Sequence, residues 1–311
     1  MPSKKILLTG ASGFVGGHLL SKLNSNEIII LGRKALVGSP YDFFKSELSF
    51  DADYTGALRE VSCVIHCAAR VHVMDDNSAN PIEEFRAVNT KGTLNLASQA
   101  AKAGVKRFIF ISTIKVNGES TTGRKPFNEQ ECAPEDPYGT SKAEAEQQLL
   151  ALGQQTGMEI VIIRPPLVYG EGVKANFASL MRLVNKGFPL PFRSINNNKR
   201  SLVSVYNLVD LIKVCIEHPN AANQVFLVSD DHDLSTAEMV QLMAKVQGKS
   251  NLTLPIPTTL FSLAGKVLGK KQIVDRLIGS LQVDITHTKK TLNWVPPYSV
   301  ENGFKLSAKI K

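Results

Sequence analysis

No apolar run in this 311-residue chain approaches the roughly 20 residues that a membrane-spanning helix needs. The longest, such as EIVII and RFIFI, have the length of strands, so no membrane insertion is expected. The N-terminus MPSKKILLTG has two lysines and then a short apolar run that ends in glycine and polar residues. It makes neither a full signal peptide nor a transit peptide, and a cytoplasmic protein is expected. Cysteine is scarce: Cys63, Cys67, Cys132 and Cys215 have no ordered spacing. Cys63 and Cys67 bracket His66 in CVIHC, but alternation along a strand puts His66 on the opposite face and no second His/Cys cluster follows, so no metal site is expected. Long basic runs are missing as well. The net charge of +8 is spread over clusters no longer than SKK, GKK and TKK, with no aromatic-interleaved basic patch. That argues against nucleic acid and leaves a small anionic ligand.

What is present is an alternation of apolar, β-branched runs with helical patterns. The runs are KILLT (5–9), EIIIL (27–31), CVIHC (63–67), RFIFIS (107–112), EIVIIR (159–164) and QVFLV (224–228). Short continuous runs without polar alternation suit central strands of a parallel sheet covered on both faces. Helical segments such as GGHLLSKLN and NTKGTLNLASQAAKAG lie between them. The βα order predicts an α/β, doubly wound parallel sheet of the Rossmann kind with a smaller C-terminal substrate-binding lobe. SLVSVYNLVDLIKVCIEH and QVFLV read as a return to the sheet, and helices dominate from Ser229 onward. The expected boundaries are 1–165 with 202–228 for a dinucleotide-binding unit, and 166–201 with 229–311 for the lobe.

The first strand runs directly into TGASGFVGGHLL. Gly10 allows a tight turn, Gly13 lets the backbone approach a pyrophosphate, and Gly16 permits close packing of helix on strand, with the helix N-terminus facing the anion. The second strand ends IILGRK. Where an acidic residue would accept a ribose 2′-hydroxyl there are Gly32, Arg33 and Lys34. An arginine fork suits a 2′-phosphate, so NADP is expected, with NAD as the other possibility.

A tyrosine four residues before a lysine occurs twice, in YDFFK (Tyr41/Lys45) and in PYGTSKAEAEQ (Tyr138/Lys142). Tyr41 lies in the loop expected beyond the second strand, at the adenosine end of a dinucleotide. Tyr138 and Lys142 instead open a helix between two central strands, where the nicotinamide half would lie, and their spacing puts them on one helix face. Tyrosine titrates near 10, and an adjacent ammonium with an oxidised nicotinamide is expected to bring it down by about 2 to 3 pH units. A hydroxyl from ISTIKVNG would complete the site by donating to a sugar oxygen.

Together these motifs resemble the extended short-chain dehydrogenase/reductases, in the nucleotide-sugar epimerase/dehydratase group. The resemblance rests on TGASGFVGGHL, VIHCAAR, VNTKGTLNL, FIFISTIKVNG, YGTSKAEAE, IIRPPLVYGEG and LNWVPP, and covers nearly the whole chain. It implies that Thr113, with Ser112 behind it, joins Tyr138 and Lys142 as catalytic residues. It implies cofactor contacts at Gly10, Ser12, Gly13, Phe14, Val15, Gly16, Arg33, Asp51, Ala68, Ala69, Arg70, Asn89, Lys142 and Pro165, and substrate contacts at Thr113, Asn176, Arg200 and Arg276. Two departures matter. Sugar 4,6-dehydratases of this group carry an Asp-Glu pair where this chain has Ile114 and Lys115, which argues against a dehydratase. Many 4-epimerases have asparagine where Leu167 stands.

The implied activity is NAD(P)-dependent hydride transfer at carbon 4 of a nucleotide-linked, UDP-type sugar. With NADP as cofactor the expected enzyme is a 4-keto-sugar reductase for surface polysaccharide precursors, and with tightly held NAD it is a UDP-hexose 4-epimerase. A catalytically silent NAD(P)-sensing protein and a reductase of small apolar carbonyl compounds are the rivals. A homodimer built on the helical segments 90–103 and 138–152 is also implied.

Overall fold

The computed structural model describes residues 5–24, 27–71 and 80–308. Its strands are β1 (Lys5–Thr9), β2 (Ile28–Gly32), β3 (Asp42–Lys45), β4 (Val61–His66), β5 (Arg107–Ile111), β6 (Glu159–Arg164), β7 (Leu167–Tyr169), β8 (Leu202–Ser204) and β9 (Gln224–Leu227). Seven of them form one sheet in the order β3-β2-β1-β4-β5-β6-β9, with every pair parallel. This is the expected doubly wound architecture.

The helices are α1 (Phe14–Leu20), α2 (Pro81–Phe85), α3 (Thr93–Lys102), α4 (Pro137–Thr156), α5 (Ala175–Asn185), α6 (Val205–Glu217), α7 (Thr236–Val246), α8 (Thr258–Val267), α9 (Lys271–Ile278), α10 (Thr286–Leu292) and α11 (Val300–Ser307). The absence of polar alternation in the strands now has its cause. Ile6, Leu8, Ile65 and Ile109 point to the face covered by α1 and α6, while Leu7, Val64, Phe108 and Phe110 point to the face covered by α3 and α4. Each fully buried aliphatic side chain there is worth about 1.5 to 3 kcal/mol.

Two sequence expectations are corrected. YDFFK is an edge strand rather than a loop: Ile29 pairs with Asp42 and Gly32 with Lys45. Phe43 packs into the core on one side of the sheet and Phe44 into the core on the other, while Asp42 and Lys45 are exposed, a composition suited to a short, charged edge. SLVS does not rejoin the main sheet. It pairs as β8 with β7 in a separate two-stranded sheet, because Ser204 ends the strand by capping α6, its hydroxyl accepting from the Asn207 amide at 3.2 Å.

The strand order reverses between β1 and β4, where a crevice opens at the carboxyl ends of the strands. Around α5, α7 and α11 a further apolar cluster, including Phe177, Met181, Met243 and Phe304, builds the smaller C-terminal lobe.

Candidate active site

The chain after β1 turns at Gly10 with φ +72°, in the left-handed region. The Gly13 amide donates to the Gly10 carbonyl at 2.9 Å. A Cβ on Gly10 would lie 2.6 Å from the Ala68 nitrogen, and one on Gly16 only 2.2 Å from the Gly10 carbonyl. The turn is therefore pressed against the chain after β4 and against α1, with room for hydrogen only. Ser12 and Gly13 are exposed on its rim, and Phe14 and Val15 pack back onto the core.

Beside the turn, Ala68 donates its amide to Thr9 Oγ1 at 3.2 Å. His66 shares hydrogen bonds with Thr9 Oγ1 at 2.9 Å and Thr93 Oγ1 at 3.0 Å. Burial, reinforced by the Lys142 charge, pushes His66 down to about 3, so the ring is neutral. The buried Asn89 holds the loop after Ala69. Its Oδ1 accepts from the Arg70 amide at 2.8 Å, and its Nδ2 donates to the Arg70 carbonyl at 3.0 Å and to Ser141 Oγ at 3.1 Å. Asn89 lies in a π-helical turn, Arg86–Gly92, that leads into α3. Asp51 is exposed and accepts from Ser49 Oγ at 2.7 Å. The Pro165 carbonyl accepts from the Ile114 amide at 2.9 Å.

α4 starts sharply because Asp136 caps it, accepting from the Gly139 amide at 2.6 Å, with Pro137 in the first turn. Tyr138 and Lys142 follow on one face. Lys142 is 1% exposed. Its ammonium donates to the Ile111 carbonyl at 2.7 Å and lies 3.9 Å from the centre of the Phe110 ring. Burial lowers it to about 7. Tyr138 is half-buried, edge-on to Phe85 at 5.9 Å. With no nicotinamide beside it, burial, with the nearby Asp136 charge, pushes the Tyr138 hydroxyl up to about 12. Burial and the Asp136 carboxylate both disfavour the phenolate in the protein alone. Thr113 is half-buried at the start of a 3₁₀ turn, Ile114–Val116, with its hydroxyl accepting from the Lys115 amide at 3.3 Å. At the other candidate pair, the Tyr41 hydroxyl donates to the Leu20 carbonyl at 3.0 Å. That is a packing role.

A cleft of about 1330 Å³ opens in front of Tyr138, and its lining includes Phe85, Lys115, Asp136, Asn198, Arg200 and Arg276. Arg200 donates to the Arg276 carbonyl at 2.7 Å. Burial first, and then the Arg276 charge, lowers its pKa below the usual arginine range. The bond from Arg200 is to the Arg276 backbone, and the Arg276 side chain lies 3.9 Å from Glu119 Oε2; both arginines line the cleft, where their charges suit an anion. Leu167 is exposed, and the Asn176 side chain lies outside the described residues.

Sequence reasoning missed the support behind these groups. Glu146, one turn beyond Lys142, is buried and paired with Arg164 at 2.6 Å. It also accepts a short hydrogen bond from Ser112 Oγ. Arg164 donates further to Asn117 Oδ1 at 3.1 Å and to the Glu131 carbonyl at 2.9 Å. The signal was available: an arginine closing the apolar strand EIVIIR must find a charge partner once buried, and Tyr138, Lys142 and Glu146 recur every four residues. Lys115 pairs with Asp136 and with Glu119, so the position of the missing dehydratase acids is occupied by a structural cation.

A glycine-rich turn lies at the strand-order switch, and a tyrosine and a buried lysine share one face of α4. Residues 6–229 match the model of the NAD dependent epimerase/dehydratase family, and the chain belongs to that family. It is 56% identical over 310 residues to the UDP-glucose 4-epimerase of Vibrio cholerae, covering 98% of this chain and 94% of that protein. Its fold is similar to that of UDP-N-acetylglucosamine 4-epimerase from Bacillus cereus, with a TM-score of 0.81, 22% identity and 98% of both chains covered. It is also similar to UDP-glucuronic acid 4-epimerase from Bacillus cereus in complex with NAD, with a TM-score of 0.78 and 21% identity over 98% of this chain and 97% of that one.

The expectation of NADP is corrected by these comparisons. The family is named for NAD, and besides the UDP-glucuronic acid enzyme four further chains of this fold were solved with NAD. The physical reason lies at Arg33. Arg33 and Lys34 are exposed, and among the described residues no hydrogen bond or ion pair holds either side chain in place. Exposed basic side chains of this kind are also what a solvated surface loop carries, so their presence does not by itself select a 2′-phosphate. The rest of the site fits a dinucleotide: a Cβ on Gly10 or Gly16 would collide with backbone, and among the described residues the buried Lys142 ammonium has one hydrogen-bond acceptor, the Ile111 carbonyl, so its other N–H groups can take ribose hydroxyls.

Proposed function

We propose that this enzyme is a UDP-hexose 4-epimerase that keeps NAD bound through turnover. The observation that carries the reading is the 56% identity to the Vibrio cholerae UDP-glucose 4-epimerase across nearly the full length of both chains. Gly10, Ser12, Gly13, Phe14, Val15 and Gly16 would hold the pyrophosphate and its flanks, Asp51 the adenosine end, and Ala68, Ala69, Arg70, Asn89, Lys142 and Pro165 the nicotinamide half. NAD, when bound, supplies a site that accepts a hydride from carbon 4 and gives it back.

Tyr138 takes the proton from the sugar 4-hydroxyl and later returns it. Its hydroxyl lies near 12 in the protein alone, so the positive charge of an oxidised nicotinamide is what brings it into range. Thr113 donates a hydrogen bond to the same oxygen. Arg200 and Arg276 hold the diphosphate, leaving the hexose free to turn over in the cleft. The unit 1–165 with 202–228 would take the cofactor, and the lobe 166–201 with 229–311 the sugar nucleotide. Side-by-side α3 and α4 would form an isologous dimer, which light scattering at micromolar concentration checks.

The deciding experiment supplies purified protein with UDP-glucose alone. The expected outcome is conversion to the 4-epimer without added cofactor. No conversion of UDP-glucose without added cofactor, together with reduction of a UDP-4-keto-hexose that consumes one reduced cofactor per product, would establish the reductase instead.

A further inference from the structure

Helix α8 is built the wrong way round for a helix of a soluble lobe. An amphipathic helix normally turns its apolar stripe to the core. Here Leu260, Leu263, Val267 and Leu268 recur at helical spacing and are 52%, 59%, 77% and 67% exposed. The inward face is made of smaller or aromatic groups. Phe261 stacks on Phe192 at 6.0 Å, and Gly265 lets α9 approach so closely that a Cβ there would lie 2.8 Å from the Val274 side chain. α9 adds Ile273, 57% exposed.

Cations border this apolar ridge. Lys266, Lys270 and Lys271 are exposed, and none of them forms an ion pair among the described residues. From Lys249 to Arg276 the sequence has five basic residues and one acid, Asp275, and Asp275 and Arg276 line the substrate cleft.

We propose that the α8–α9 hairpin docks this enzyme on an anionic lipid surface. Leucine and valine side chains would enter the boundary between headgroups and acyl chains, and the three lysines would meet lipid phosphates. A second copy of the chain is a poorer occupant, because an isologous contact across this ridge would bring together two segments that each carry five basic residues and only one acid, Asp275. The contact is peripheral. Among the described residues no helix is long and apolar enough to cross a membrane. Because α9 also forms a wall of the cleft, docking brings the substrate site to the lipid surface. The proposal does not depend on which sugar the enzyme converts.

The test is flotation of the full chain with vesicles of phosphatidylglycerol and phosphatidylethanolamine, compared with phosphatidylcholine vesicles. Binding to the anionic vesicles is expected to exceed binding to the neutral ones at least ~10-fold and to weaken in about 0.5 M salt. The double variant Lys270→Glu, Lys271→Glu should lose at least ~10-fold, since each lysine near an anionic surface is worth roughly fivefold. Leu263→Gln with Val267→Gln should abolish binding. Melting temperature and turnover on soluble UDP-glucose should be unchanged in both, since all four side chains are exposed and outside the cleft. Absent or equal binding to the two vesicle types, wild-type binding by both variants, or a wild-type oligomer that the Leu263/Val267 variant splits without any vesicle binding would each overturn the proposal.

Discussion

Lys115 pairs its ammonium with Asp136, the residue that caps the helix carrying Tyr138. The relationship joins a residue at the dehydratase position to the helix turn that carries Tyr138 through one carboxylate. Asp136 has two tasks: one oxygen holds the Gly139 amide, and the other takes the charge of Lys115.

Lys115→Met should therefore leave the Asp136 charge uncompensated beside Tyr138 and raise the tyrosine further. The acid limb of the kcat profile should move to higher pH, and Lys115→Arg should restore it. Asp136 is the charge acting on Tyr138 from the start of α4, Lys115 pairs directly with Asp136, and Glu119 pairs with Lys115. An unmoved limb in the methionine variant would show that Lys115 is only structural.

Tyr138→Phe removes the transferable proton and keeps the ring against Phe85. Turnover should fall at least ~100-fold with NAD affinity nearly unchanged. Tyr41→Phe should leave kcat intact and cost about 1 kcal/mol of stability through the lost bond to the Leu20 carbonyl. Steady-state kinetics and urea melts on both variants separate the roles.

The neutral, buried His66 makes stability depend on acid. Its folded value of about 3 lies below the ordinary 6.5, so between these values the unfolded chain binds the proton and the folded chain does not. Its contribution is complete above about 6.5 and is lost as pH falls toward 3, at no more than about 1.4 kcal/mol per pH unit. His66→Gln should flatten unfolding free energy against pH in that window. An identical slope in the variant would remove His66 as the cause.

Glu146→Ala strands the Arg164 guanidinium in a buried site, which should destabilise the fold by about 3 to 5 kcal/mol. Replacing both partners by apolar residues should cost less than either single change. Chemical denaturation of the single and double variants gives the coupling directly.

Much of this architecture follows from local chemistry and is legible in the chain. Gly10 and Gly16 mark a turn that only hydrogen side chains permit, and apolar runs without alternation mean strands covered on both faces. A tyrosine and a lysine four apart after a capping aspartate must share a helix face. YDFFK misled because a short edge strand has the composition of a loop until Phe43 and Phe44 find opposite faces of the sheet. Three things were decided only when distant segments met. Burial sets Tyr138 high and Lys142 low, and burial is a property of everything packed around them. Arg164 and Glu146 become one ion pair through the contact between β6 and α4. The outward turn of the α8 leucines is invisible in their spacing, which would suit a core-facing helix equally well, because periodicity gives the angle between side chains and only packing says which side is in.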